Sequence, residues 1–226
     1  MFIGFIEAGV PLGVTFSFLI ASPLINEIAV GILLTYFGWK ITALYIGSGL
    51  VIAIIVGIII GRLGLERWVE EFVYDGKGDK GSGKVIRLSW KSRFGVAWAY
   101  TKGILKKVAP YIALGVAIGA FIHGYAPQDL IVKVAGRSNP FAVPIAVAIG
   151  VPLYANTAGT IPIVTSLIEK GVPLGTALAF MMAVTALSFP EMVILRRVLK
   201  KPLLAVFFGT VAIAIILTGY LFNLII

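Results

Sequence analysis

Two glutamates lie inside long apolar runs of this chain, and each sits beside a proline. Glu27 follows Pro23 and Asn26; Glu191 follows Ser188 and Pro190. A carboxylate at the centre of a bilayer is unfavourable by a few kcal/mol, so it faces protein or water. Proline removes a backbone donor and frees carbonyls nearby. An acid beside a helix break is the chemistry of a proton or cation site. The plainer alternative is a protonated glutamate that bridges two helices. A third polar stretch, Asn156-Thr157-Ala158-Gly159-Thr160-Ile161-Pro162, interrupts an uncharged run of 31 residues at 138–168. Small polar residues with Gly159 and Pro162 suggest an unwound helix whose ends face a substrate. The alternative is a kink in which the threonine hydroxyls bond their own helix. The candidate substrate or ion contacts are therefore Asn26, Glu27, Asn156, Thr157, Thr160, Ser188 and Glu191. Pro23, Gly159, Pro162 and Pro190 are the candidate helix breaks.

The elements that carry these residues must be membrane helices. Of 226 residues, 59% are hydrophobic and 13% charged, and the mean hydropathy is +1.03. Soluble domains carry about 25% charged residues, so a soluble globular protein, a disordered chain and a secreted disulfide scaffold are excluded. Uncharged or nearly uncharged runs occur at 12–37, 41–61, 108–126, 138–168, 171–195 and 203–226. Each reaches the roughly 20 residues a span requires. They are too long for barrel strands, so the fold class is an all-α integral membrane protein with about six transmembrane helices, some of them broken.

The net charge of +9 is local: 16 of the 29 charged residues fall between Arg62 and Lys107. That placement suits a cytoplasmic membrane face rather than nucleic-acid binding. Leu65, Trp68, Val69, Phe72 and Val73 follow helical spacing and predict an amphipathic helix that continues the second span. Trp90, Phe94 and Trp98 recur at i, i+4, i+8 and suggest an interfacial anchor. Six simple spans put 12 Lys and Arg on the side of the 62–107 loop and 7 on the other, so the loop and both termini face the cytoplasm. A re-entrant fifth segment would move the 196–201 cluster inside and give 16 to 3, but 171–195 is long enough to cross. A secretory signal peptide is not expected, since Met1-Phe2-Ile3-Gly4-Phe5 has no basic n-region.

Ile6-Glu7-Ala8-Gly9-Val10-Pro11-Leu12-Gly13 matches Ile168-Glu169-Lys170-Gly171-Val172-Pro173-Leu174-Gly175 at seven of eight positions, 162 residues apart. Past a slip of two residues, Glu27 falls opposite Glu191. With two spans between the copies, the reading is a parallel pseudo-repeat: residues 1–61 form a first unit without its leading helix, 62–107 a cytoplasmic loop and 108–226 a second unit. A shortened product, half of a split assembly, or completion by oligomerising would each account for the missing helix.

Other motifs carry less. His123, near the end of the third run, suits an interface residue or a pH sensor. Gly57/Gly61 and Gly115/Gly119 are small-xxx-small packing pairs. Residues 78–85 nearly spell a phosphate-binding loop, but Val85 stands where Ser or Thr is needed. A single His and no Cys leave no metal centre or cysteine nucleophile, and no cofactor or enzymatic activity is expected.

The stretches Ser22-Pro23-Leu24-Ile25-Asn26-Glu27, Gly150 to Pro162 and Glu169 to Met192 resemble the predicted-permease family that includes organoarsenical efflux permeases. The resemblance covers nearly the whole chain. It implies a polytopic inner-membrane permease, commonly of eight spans in two similar halves. By position it carries Asn26, Glu27, Asn156, Pro190 and Glu191 over as polar motif residues. Family members usually add an N-terminal helix pair and often a Cys-containing motif just before Phe2. Soft trivalent arsenicals need thiolates, so arsenical export is not expected of a chain without Cys. The expectation is a permease in the cell membrane that moves a small molecule or ion by alternating access. Its partners are the bilayer and a homo-oligomer or second membrane subunit. A channel and a non-transporting subunit are the competing readings.

Overall fold

A computed structural model describes residues 2–25, 27–73, 89–92, 94–99, 101–103, 105–106, 109–110, 113, 139–153, 155 and 157–226, with the backbone alone at 72, 157 and 158. The longer helices are α1 (Phe2–Glu7), α2 (Leu12–Leu24), α3 (Glu27–Arg62), α4 (Ala142–Gly150), α5 (Thr157–Glu169), α6 (Leu174–Ala186), α7 (Phe189–Leu195) and α8 (Lys201–Ile225). Residues 90–92, 94–99 and 101–103 are also helical, and Trp90, Phe94 and Trp98 are exposed. Among the described residues, three helices are long and apolar enough to cross a membrane: Glu27–Arg62, Leu174–Leu195 and Lys201–Ile225. The run at 108–126, with His123 and Gly115/Gly119, and the loop motif at 78–85 lie outside the described residues.

The eight-letter motif builds the same turn twice. Gly9 (φ 82°) and Gly171 (φ 91°) end α1 and α5 in the left-handed region that glycine adopts without strain. The amide of Val10 bonds the carbonyl of Phe5, and that of Val172 bonds Leu167. Pro11 and Pro173 then start α2 and α6 with nearly equal dihedrals, φ −53° and −57°. Gly13 and Gly175 admit a neighbouring helix at backbone distance. A Cβ on Gly13 would strike the Gly57 carbonyl oxygen, and one on Gly175 would lie 2.5 Å from that of Gly219. Gly57 and Gly219 are themselves 162 residues apart.

α2 runs antiparallel to the later part of α3, because Gly13 meets Gly57 and Gly61 while Ile25 meets Gly49. α3 is two arms that meet at Gly38, whose φ of 74° and ψ of 174° suit glycine alone. α6 runs antiparallel to α8: Asn223 Oδ1 accepts from the Thr176 amide at 3.2 Å, and its Nδ2 donates to Thr176 Oγ1 at 3.0 Å. α8 carries 25 residues, about 37 Å of helix, so its two ends define the two ends of the bundle.

Residues 65–73 cap the end of the bundle at the start of α8. Gly64 (φ 59°) stops α3, and two 3-10 turns follow, Leu65–Trp68 and Glu71–Val73. Val69 bridges Leu199, the Lys200 amide donates to the Trp68 carbonyl at 2.8 Å, and Arg196 Nη1 lies 3.2 Å from Glu70 Oε1. The predicted amphipathic helix is therefore a strap. The spacing found the correct buried face, Leu65, Val69 and Val73, but that face packs on the protein. At the other end of α8, Thr218, Leu221 and Phe222 share a cavity with Trp39 and Lys40. The second arm of α3 thus rises from that end to the strap, and α2 starts at the strap end.

These contacts correct the expected topology. The 196–201 cluster lies with the 62–73 segment, whereas six simple spans put them on opposite sides. The cause is the 138–168 run. α4 starts beside the far end of α8, where the Tyr220 hydroxyl donates to the Pro140 carbonyl. It runs alongside α6, with Gly150 packed against Phe180 and Ala183. The chain turns at Val151-Pro152, and α5 leads back to the Gly171 turn and the start of α6 at the same end. The run is a re-entrant hairpin, not a span. The matching segments consequently have opposite senses: α2 starts at the strap end and α6 at the far end. The parallel arrangement read from sequence is replaced by an inverted one.

Candidate functional site

The hairpin tip meets the interruption between α6 and α7. The Phe189 amide donates to the Val151 carbonyl at 2.7 Å. α6 ends because Leu187 closes its last turn on Ala183 and Ser188 turns extended, at φ −60° and ψ 144°. Thirteen residues separate Leu174 from Leu187, about 20 Å of helix, so the break lies near mid-depth.

Pro190, expected at a helix break, lies at the start of α7, and Ser188, expected as a substrate contact, is the cap of that helix. Ser188 is 2% exposed and caps α7, accepting from the Glu191 amide at 3.4 Å. Pro190 occupies the second helical position, where its missing amide is harmless. Ser188-Phe189-Pro190-Glu191 is a Ser-x-x-Glu cap, so Glu191 is held in the first turn of α7 beside the break. Its side chain is half-buried.

The other expected residues are placed differently. Pro23 lies inside α2, one residue before its end, so the helix stops where expected. Glu27 is exposed at the start of α3. The slip of two residues has no backbone counterpart: α3 starts at Glu27 and α7 at Phe189, again 162 apart. Glu27 is therefore the first helical residue and Glu191 the third, and Ser188 corresponds to Asn26. Gly159 and Pro162 lie inside α5, both exposed. The break follows Gly150, set by the Val151-Pro152 turn and the Leu153 amide bonding the Gly150 carbonyl at 3.0 Å. Pro162 is the sixth residue of α5 and lacks the amide that would bond four residues back, so it weakens the helix just after its first turn. Thr160 is fully buried in the first turn of α5. Asn26 and Asn156 lie outside the described residues, and Thr157 is described by its backbone alone.

The Thr176–Asn223 pair was not anticipated. Its one signal is an amide side chain in the otherwise apolar run at 203–226. The packing role of Gly150 was not anticipated either: a Cβ there would lie 3.0 Å from Ala183 Cβ and 3.1 Å from the Phe180 carbonyl oxygen, so glycine is what lets the tip reach α6. Among the described residues, no group of three His, Cys, Asp or Glu is placed to hold a metal ion.

A re-entrant tip docked on a broken membrane helix is an arrangement for handling solutes within a bilayer. A family model described as "Predicted permease" matches residues 1–224. The chain belongs to this family. It is a membrane protein of permease type, which points to transport rather than catalysis. It is similar to UPF0718 protein MJ0584 of Methanocaldococcus jannaschii, at 33% identity over 122 residues, 54% of this chain and 33% of the relative. It is also similar to UPF0718 protein YcgR of Bacillus subtilis, at 33% over 79 residues, 35% of this chain and 27% of the relative. These alignments thus span about a third or less of the curated relatives' length. No solved structure matches the chain.

Proposed function

We propose that this chain carries a small solute or ion across the cell membrane by alternating access, through a mid-depth site made by the α4–α5 tip and the α6–α7 break. The observation that carries the reading is the bond from the Phe189 amide to the Val151 carbonyl, which joins two helix interruptions at one depth. Glu191 binds a proton or cation there. Ser188, Thr160, Thr157 and Asn156 contact the substrate. Asn26 and Glu27, at the α2–α3 break, serve the other unit. Support for two inverted units comes from the matched bounds of α2 and α6, the paired glycine turns and the paired Gly13–Gly57 and Gly175–Gly219 contacts. Inverted units exchange roles when a central site opens first to one side and then to the other.

The strap end carries Arg62, Arg67, Arg196, Arg197, Lys200 and Lys201, and the far end Lys40 and Lys170. The bias favours a cytoplasmic strap end and 62–107 loop. A homo-oligomer or a second membrane subunit completes the assembly in this reading. The test is solute-driven proton movement in proteoliposomes, across a panel of small organic ions and neutral solutes. Glu191→Gln should abolish it while the melting temperature stays unchanged. Undiminished movement in the variant would sink the assignment. Uncoupled flux faster than any carrier would identify a channel, and no flux from the chain alone would favour one subunit of a split permease.

A further inference from the structure

A second site lies away from the hairpin tip, on the outer surface of the bundle. The second arm of α3 and the end of α8 enclose a cavity of about 570 Å³ lined by residues that include Trp39, Lys40, Gly47, Val51, Thr218 and Leu221. Four observations bear on what fills it. Its walls are apolar, but Lys40 stands at the end nearest the bundle's limit, exposed and without an ion pair among the described residues. Trp39 beside it is 68% exposed, as expected of an indole at a membrane–water interface. From Lys40 to Val51 the helix advances eleven residues, about 16 Å, or half of a hydrocarbon core of about 30 Å. Thr218 is 9% exposed, yet it makes no hydrogen bond among the described residues. Thr15 and Thr42, also buried, donate to carbonyls four residues back, and Thr176 pairs with Asn223.

We propose that this groove holds one anionic glycerophospholipid of the leaflet at that end. An acyl chain lies along Gly47, Val51 and Leu221, the phosphate faces Lys40, and the Thr218 hydroxyl donates to a glycerol ester carbonyl. The groove has one leaflet's length and Lys40 at its mouth, and the Thr218 hydroxyl beside it makes no hydrogen bond among the described residues. Charge and length together select a charged lipid over an apolar solute.

Gly47 supplies the decisive variant. A Cβ there meets nothing within 4 Å, so Gly47→Leu fills the groove without disturbing helix packing. The full chain, purified in mild detergent, is titrated with phosphatidylglycerol or phosphatidylcholine and read by native mass spectrometry. The wild type should retain one phosphatidylglycerol in preference to phosphatidylcholine. Lys40→Ala should reduce that preference about fivefold, the effect of one basic residue at an anionic lipid surface. Gly47→Leu should abolish the one-to-one complex with either lipid while the melting temperature holds. Retention by Gly47→Leu equal to wild type, no preference for the anionic lipid, or a dimer that Gly47→Leu dissociates would each overturn the proposal; the last would make the occupant a second copy of the chain.

Discussion

Replacing Gly57 by alanine tests the closest helix contact in the first unit. Gly57 faces α2 at backbone distance. A Cβ there would strike Ser17 Oγ and would lie 2.7 Å from the Gly13 carbonyl oxygen. The serine side chain can rotate away, but the carbonyl belongs to helix backbone and cannot. Overpacking of this kind is destabilising by about 1–3 kcal/mol, and alanine recovers up to about 1 kcal/mol of helix propensity over glycine. The net expectation is a loss of about 1–2 kcal/mol. For a chain of this size, each kcal/mol lowers the melting temperature by about 2–4 °C. Gly47→Ala is the control, because its Cβ enters open space; its melting temperature should hold or rise. Gly219→Ala should lose a comparable amount: Val143 Cγ1 at 2.6 Å can move, but Ala179 Cβ at 2.8 Å is fixed to its own backbone. Thermal unfolding in one detergent ranks all three. Wild-type stability in Gly57→Ala, or an equal loss in Gly47→Ala, would refute the antiparallel packing of α2 on α3.

Other substitutions follow from the same contacts. Asn223→Ala strands the Thr176 amide and hydroxyl, and should lower stability by about 0.6–1.7 kcal/mol, the measured scale for membrane polar pairs; the melting temperature reads it. Ser188→Ala removes the α7 cap and should lower stability by about 1 kcal/mol, with a larger effect on transport than on melting. Arg196→Ala breaks a pair whose side chains are 43% and 31% exposed, so it should change stability by less than about 1 kcal/mol. Leu199→Ala empties a fully buried site in the same strap contact and should lower stability by about 2–5 kcal/mol.

Much of the architecture is legible in the sequence because membrane burial leaves a coarse imprint. The helical class follows from uncharged runs of span length, and the paired turns follow from glycine and proline, whose conformations are restricted by their own covalent structure. Pro190 stands at the start of α7, beside the end of α6, for the same reason. The re-entrant hairpin was hidden because hydropathy records burial and not direction: 138–168 is apolar whether it crosses or turns back. Its turn, Gly150-Val151-Pro152-Leu153, carries no charge to mark a surface. The 196–201 cluster was the available clue, since its charges match the 62–107 loop once the run is folded back. The strap shows the converse. Its i, i+4, i+8 pattern correctly identified a buried face, but Gly64 ended the helix and tertiary pairing with Leu199 replaced it. Aligning the two glutamates required a slip that the backbone does not make, and side-chain identity misled where element bounds did not.

The proposed mid-depth site rests on the opposite senses of α2 and α6, and labelling from one side tests that arrangement directly. The chain contains no cysteine, so Lys170→Cys and Lys201→Cys each report a single position. Both are exposed, at opposite ends of the bundle, and Glu71→Cys marks the strap end. A membrane-impermeant maleimide applied to oriented vesicles should label Lys201→Cys and Glu71→Cys from the same face, and Lys170→Cys only from the other. Labelling of Lys170→Cys together with Glu71→Cys, with Lys201→Cys on the opposite face, would restore six simple spans and contradict the inverted arrangement.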